Sequence, residues 1–445
     1  MAKGKPIARP GQAFSTADKA ALRKEASLYF ALLNKSEAFR YQAVLIAAFL
    51  GWMFDGVEMG MFPLIARPAL QEMQHGSALI SDAFVGHWMG VITALFLLGA
   101  AIGGAFFGWL GDRMGRVRPM TICILVYSLF TGAILFAQTP IQLGALRFFA
   151  AFGMGGEWSL GVALVMEIWP DRHRSMLAGL IGAANNVGFL LIALAGMAIP
   201  VTQHSWRWVA MLGAFPAVLV LWIIRYVPES DRWKKAAATG HLQPLREIAR
   251  TPLLKTTAIA CVLSGIALIG SWGSVQWLPL WADKMAGSTM PAAKAYTQAL
   301  IAVGAIVGAM IGAWLGKILG RRPAYFVFSL VSLLSCALLF RAINQYGAAF
   351  LLLAFWAGLV TTTFYGWLPL YLPELFPTRV RATGQGIALN MGRVLAAVGA
   401  IQMGVLMQTF KGSYARAGSV ITLIYALGLL VIWLGPETKG RLLPE

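Results

Sequence analysis

The chain has 445 residues, of which 58% are hydrophobic and 12% charged, with a mean hydropathy of +0.70. Soluble domains run nearer 45–50% apolar and about 25% charged, so an ordinary soluble enzyme and a disordered chain are both excluded. Lys and Arg outnumber Asp and Glu by 36 to 18. The basic residues alternate with long apolar runs, which reads as a membrane topology bias rather than a nucleic-acid surface.

A bilayer core of about 30 Å calls for about 20 apolar residues per helix. After a polar, basic segment at 1–40, twelve such runs are predicted. They lie at 41–66, 84–110, 119–138, 142–168, 174–199, 206–227, 254–281, 295–318, 323–341, 347–371, 381–408 and 417–435. The first run is too long for a signal-peptide core, so no cleavable signal is expected. Beta-barrel strands would alternate in polarity over about 10 residues, a pattern that is absent. With the N-terminus placed inside, about 27 Lys/Arg fall on the inner side and about 7 on the outer. Both termini are therefore expected in the cytoplasm. The loop 228–253, with Arg232, Lys234, Lys235, Arg246 and Arg250, divides the chain into bundles 41–227 and 254–435 and reads as an interfacial connector. Residues 436–445 form a tail.

The halves repeat. Glu167, Pro170, Arg172 and Arg174 match Glu374, Pro377, Arg379 and Arg381 at an offset of 207. Trp109-Leu110-Gly111 and Gly115-Arg116 match Trp314-Leu315-Gly316 and Gly320-Arg321 at 205. Such a repeat implies two bundles about a pseudo-twofold axis, with a site between them near mid-membrane.

The block from Gly108 to Arg116 resembles the loop signature of the major facilitator superfamily. Arg147 through Gly153, Gly155 and Gly156 to Glu167, Pro170 and Arg174 resembles the sugar-porter pattern, as do Val227–Trp233 and Pro436–Gly440. Gly51–Glu58 resembles the Asp-Gly-x-Asp pattern of proton symporters for metabolites and organic acids. Gly155–Trp158 with Leu164–Pro170 is similar to the lactate, sialate and aromatic-acid branch. The glutamine pair of sugar porters is missing from Gly270–Trp277, which argues against a hexose.

Ionisable groups inside spans cost about 2.5–3.5 kcal/mol each on insertion scales, so they are the first functional candidates. Asp55 and Glu58 stand at i and i+3, on one side of their helix. Two close carboxyls in low dielectric resist ionising together, which suits a proton carrier, although a static buried pair has the same spacing. Arg147 lies about 9 Å from the outer end of its span, at a height comparable with these acids. The resemblance implies that Glu58 or Asp55 pairs with Arg147 to couple the proton; an ion pair that only ties two helices is the alternative. Glu157 is a further buried acid, either a second proton site or a resting partner for Arg393.

Arg393, beside Asn390, sits near the middle of its span, and its repeat counterpart is the neutral Asn186. A cation in one half only fits an anionic substrate, since guanidinium grips carboxylate at two points. Trp272, Gln276, Trp277, Tyr365 and Trp367 fall in spans that line the cavity in this family, though aromatics at helical spacing also serve packing. The resemblance makes Asp112, Arg113, Arg116, Glu167, Arg174, Glu374 and Arg381 an inner gating network. Lys317 stands where the repeat of Asp112 would be, so the gate is expected to be asymmetric.

No phosphate-binding loop and no His-Glu-x-x-His is present, and the five histidines, His75, His87, His173, His204 and His241, are scattered. Cys123, Cys261 and Cys336 have no metal-ligand spacing. The expected protein is an all-α membrane protein of twelve helices in two six-helix bundles, located in the plasma membrane. It is a monomer without metal or cofactor, and its partners are a small solute and the bilayer, not nucleic acid. The expected activity is not enzymatic: proton symport of a small organic acid, a monocarboxylate or related metabolite, by alternating access. A sugar or polyol symporter and a proton-driven exporter on the same fold are the alternatives.

Overall fold

The computed structural model describes residues 16–73, 82–198, 205–238, 244–250, 253–286, 290 and 292–445. Residues 1–15 of the N-terminal segment, parts of the connector (239–243 and 251–252), and His75, His204 and His241 lie outside the described residues. Every regular element among those described is helical. This is what the bilayer demands, because backbone groups in lipid must be bonded within their own segment.

In chain order the helices are α1 (Thr16–Met73), α2 (Asp82–Met114), α3 (Val117–Ala133), α4 (Pro140–Ile168) and α5 (Arg174–Ala198). The sixth apolar run is divided into α6 (Trp206–Met211) and α7 (Ala217–Tyr226), with Pro216 at the restart. The connector holds two short helices, α8 (Asp231–Ala238) and α9 (Pro244–Ile248). Then come α10 (Leu253–Gly273), α11 (Leu278–Ala286), α12 (Ala293–Leu319), α13 (Arg321–Ala342), α14 (Ala348–Leu375) and α15 (Arg381–Thr409). The final pair is α16 (Tyr414–Ile421) and α17 (Ile424–Val431).

Among the described residues, eleven helical segments are long and apolar enough to cross a membrane. They coincide with eleven of the predicted runs; the run 381–408 forms α15, a 29-residue helix carrying Arg381 and Arg393. The helices pack as two groups. In the first, α4 lies against α1, α2 and α3, and α5 against α1. In the second, α14 lies against α12 and α13, and α15 against α10. The groups meet chiefly along α2–α15 and α5–α12.

Small residues set the closest approaches. A Cβ on Gly56 would lie 2.0 Å from the Asn185 carbonyl oxygen, and one on Gly188 would lie 2.0 Å from that of Met53. The α1–α5 crossing is therefore backbone against backbone, as small residues permit in membranes. Gly56→Val forces rigid carbonyls apart and is expected to destabilise by about 1–3 kcal/mol, read as a lower midpoint of thermal unfolding in detergent.

The repeated loops share one clamp. Gly115 and Gly320 adopt φ of +98° and +100°, a left-handed conformation that glycine enters without penalty. Just beyond each, a carboxylate caps the next helix. Glu229 accepts the backbone N–H of Arg116 (3.0 Å) and Val117 (3.1 Å), and Glu437 accepts those of Arg321 (2.9 Å) and Arg322 (3.0 Å). A negative charge there complements the helix dipole. Burial alone would raise the Glu437 carboxyl, but the N–H groups of Arg321, Arg322 and Lys439 outweigh it and hold the group below the usual carboxylate range. The clamp's contribution is thus present above the ordinary carboxylate pKa and lost as pH falls through the lowered one. Acid unfolding of Glu437→Gln should accordingly be less steep than that of the wild type.

Candidate functional site

A central cavity lies between the two groups. The first contributes Trp52 and Met59 from α1, Trp158 from α4, and Asn185, Asn186 and Phe189 from α5. The second contributes Leu268, Ser271 and Trp272 from α10, then Gln276, Thr361, Thr362 and Tyr365, and Arg393 from α15. The seventh apolar run breaks beside this cavity. Helix α10 ends at Gly273, Ser274 leaves helical geometry at φ −130°, and α11 resumes at Leu278. Irregular backbone at membrane depth is tolerated where it lines a cavity.

Arg393 is the charged residue among the described lining. Its Nη1 donates to Asn390 Oδ1 at 2.8 Å, and its guanidinium carbon lies 5.9 Å from the centre of the Trp52 ring across the group boundary. Asn390 does not line the cavity. Its amide donates to the carbonyls of Gly155 (3.2 Å) and Gly386 (2.9 Å), so it positions the arginine. Tyr365 and Ser271 share a hydroxyl hydrogen bond of 2.7 Å at the cavity wall.

The sequence places Asp55 and Glu58 on one side of a helix, but the structure gives them different partners. Glu58 Oε1 accepts from Arg147 Nη1 at 2.7 Å, with both side chains buried. The Arg147 guanidinium is held between the rings of Phe62 (4.3 Å) and Phe96 (4.6 Å). Asp55, fully buried, receives no hydrogen bond or ion pair among the described residues; its carboxyl adjoins that of Glu157 and lies in the field of Glu58 and, across the boundary, of Arg393. Neither carboxyl of the Asp55–Glu157 pair receives a hydrogen bond from any donor among the described residues. Glu157 fits because position 51 is glycine: a Cβ there would lie 1.7 Å from Glu157 Oε1.

At the loop end of the molecule the charged residues interlock. Arg116 donates to Asp112 (2.6 Å), Glu167 (2.9 Å) and the carbonyl of Thr378 in the other group (2.7 Å). Arg381 donates to Glu167 at 2.9 Å, again between groups. Asp112 accepts from the backbone N–H (2.8 Å) and hydroxyl (2.6 Å) of Thr383, which caps the start of α15. The pseudo-symmetric seam is weaker. Glu374 is held by Arg321 at 2.6 Å but lies 4.0 Å from Arg174, whose shorter bond of 2.5 Å is to Asp171. Lys317 is exposed and caps nothing there.

Three sequence candidates stand elsewhere. Trp277 lies tilted against Tyr414, 6.4 Å between ring centres, and is not among the residues lining the cavity. Trp367 is buried inside the second group against Tyr371, with ring centres 4.4 Å apart. Arg113 is exposed and lies over the Trp109 ring rather than in the charge network. Sequence reasoning missed Trp52, Trp158 and Asn185 as lining residues. The available signal was spacing: Trp52 precedes Asp55 by three residues, Trp158 follows Glu157, and Asn185 adjoins Asn186.

Helices of this length, two packed groups, and a charged cavity between them define a multi-pass membrane transporter rather than an enzyme. Residues 44–400 match the profile of the Major Facilitator Superfamily, and the chain belongs to that family. It is 30% identical over 402 residues to a protein of Cupriavidus pinatubonensis described as a "Probable 4-methylmuconolactone transporter", covering 88% of this chain and 90% of that one. It is 29% identical over 336 residues to the "Cis,cis-muconate transport protein" of Acinetobacter baylyi, covering 71% and 78%. The fold is similar to that of the proton:xylose symporter XylE, with a TM-score of 0.77 at 18% identity, covering 92% and 98% of the chains.

Proposed function

We propose that this protein imports a small organic acid together with protons, by alternating access between two six-helix bundles. The observation that carries the reading is Arg393, a cation lining a central cavity whose other described lining residues are uncharged. Relatives named for muconate and methylmuconolactone support an organic-acid substrate. In this reading α15 is the twelfth crossing, both termini are cytoplasmic and the membrane is the plasma membrane, as the inner excess of Lys and Arg favours. The charge network around Arg116, Glu167 and Arg381 then closes the cytoplasmic side, and the cavity is reached from outside.

The proton has two candidate seats. Protonating Glu58 releases Arg147, which weakens the tie between α1 and α4. Protonating Asp55 supplies the donor that this carboxyl pair lacks and removes the negative charge that faces Arg393, so that a substrate carboxylate can serve as its counter-charge. The substrate anion and Asp55 thus compete for one guanidinium, which links anion binding to proton loading.

Uptake into proteoliposomes with an imposed acidic exterior tests this directly. Accumulation of an organic acid such as muconate should follow the gradient and collapse with a protonophore. Uptake indifferent to the gradient rules the coupling out. The neutral polar lining of Asn185, Asn186, Gln276, Thr361 and Thr362 favours a second reading, a sugar or polyol symporter. It requires that a sugar rather than an acid protect the purified protein against thermal unfolding. Export differs only in the gradients and in the order of binding, and the same vesicles run with an outward gradient separate the two.

A further inference from the structure

We propose that the tail, residues 436–444, is a strap whose backbone seals the charged gate, so that the tail must lift before that end of the protein can open. This rests on the alternating-access reading above and goes beyond it, since that reading assigns the tail no part.

The tail is not a loose end. The Tyr371 hydroxyl donates to the Pro436 carbonyl at 2.9 Å, and the Thr438 hydroxyl donates to Glu374 at 2.6 Å. From there the chain turns at Lys439–Gly440, closed by the Arg441 N–H on the Thr438 carbonyl at 3.1 Å, and continues over the boundary between the helix groups. The Arg441 carbonyl accepts from Arg174 of the first group at 3.3 Å. The Pro444 carbonyl accepts from Arg381 of the second at 2.6 Å. Between these two anchors Leu443 is only 4% exposed.

The choice of arginines matters. Arg381 is fully buried and uses Nη1 for Glu167 across the boundary, Nε for the Pro373 carbonyl and Nη2 for Pro444. Without the tail, that Nη2 would be left without its acceptor beside a desolvated ion pair. A buried unpaired donor costs about 1–3 kcal/mol and is readily relieved by admitting water. Water would in turn screen the Arg381–Glu167 pair that holds the groups together. Opening must also part Arg174 from the tail or carry the tail along. The tail therefore favours the closed arrangement of this end, and an interaction made in one state alone shifts the balance between the two.

The test is thiol accessibility at the gate, in full-length protein with Cys123, Cys261 and Cys336 replaced by Ala. Ser175→Cys is the reporter, because Ser175 donates to the Ala313 carbonyl at 2.9 Å across the α5–α12 seam. Ser332→Cys, buried within the second group, reports general loosening. Removing residues 441–445, or replacing Leu443 with Asp in the intact chain, should raise maleimide labelling at position 175 about five-fold or more and leave position 332 unlabelled. Unchanged labelling at 175 in both variants overturns the proposal, and so does an equal rise at both reporters, which would make the tail a plain structural support. The measurement needs no substrate, so its failure is separable from failure of the proposed transport activity.

Discussion

Arg393→Gln is expected to abolish saturable uptake of an anionic substrate while leaving the protein folded. Hydrogen bonds to charged groups contribute about 1.5–3 kcal/mol each, and a guanidinium offers a carboxylate two of them. Losing that grip corresponds to about a 100-fold loss of affinity, or more, at 1.4 kcal/mol per factor of ten. Folding should survive for a local reason. The direct hydrogen-bond partner of Arg393 is the neutral Asn390 at 2.8 Å, which a glutamine amide can also satisfy. Arg393→Lys keeps the charge but presents a point donor instead of a planar fork, so an intermediate affinity is expected. The measurement is substrate protection against thermal unfolding, run alongside uptake. Full protection by an acid in Arg393→Gln would remove this residue from the binding site.

The second large effect is at Glu58 and Arg147, and its signature is non-additivity. Removing one partner of a buried ion pair leaves an uncompensated charge, at a cost of about 3–5 kcal/mol, whereas replacing both is often near neutral. Glu58→Ala leaves the Arg147 cation between Phe62 and Phe96 with its carboxylate gone. Its stability in detergent should fall by that amount, and the double replacement Glu58→Gln with Arg147→Gln should recover most of it. Transport should not follow stability: both variants are expected to lose gradient-driven accumulation. Accumulation that persists in the stable double variant would move the whole proton role to Asp55 and Glu157.

The seams between the groups show how far sequence reading reaches. The repeat of Glu167 and Arg174 in Glu374 and Arg381 is visible in the sequence, and so is the exchange of Asp112 for Lys317 that makes the two seams unequal. The route by which Arg381 reaches Glu167 at 2.9 Å, while Arg174 stays 4.0 Å from Glu374, is not, because spacing along one helix does not fix how that helix sits against another. The aromatic residues show the same limit. Trp272 and Trp277 lie on one apolar run, yet the break at Ser274 turns only the first toward the cavity. Apolar periodicity is weak evidence in a helix that meets protein or lipid on every side, so Trp52 and Trp158 gave no pattern of their own.

By itself the sequence determined that this chain is helical, crosses the membrane many times and is built on a repeat, because lipid enforces runs of about 20 apolar residues and punishes every exception. Those exceptions also marked Asp55, Glu58, Arg147, Glu157 and Arg393 as residues needing an explanation. Only the tertiary structure decided who meets whom: Glu58 with Arg147, Asp55 beside Glu157 in the field of Arg393 but bonded to neither, and the tail carbonyls with the gate arginines. The reason is one of range. Burial is a property of a segment and is written along the chain, whereas an ion pair or a hydrogen bond is settled within about 3 Å between helices whose packing no single segment specifies.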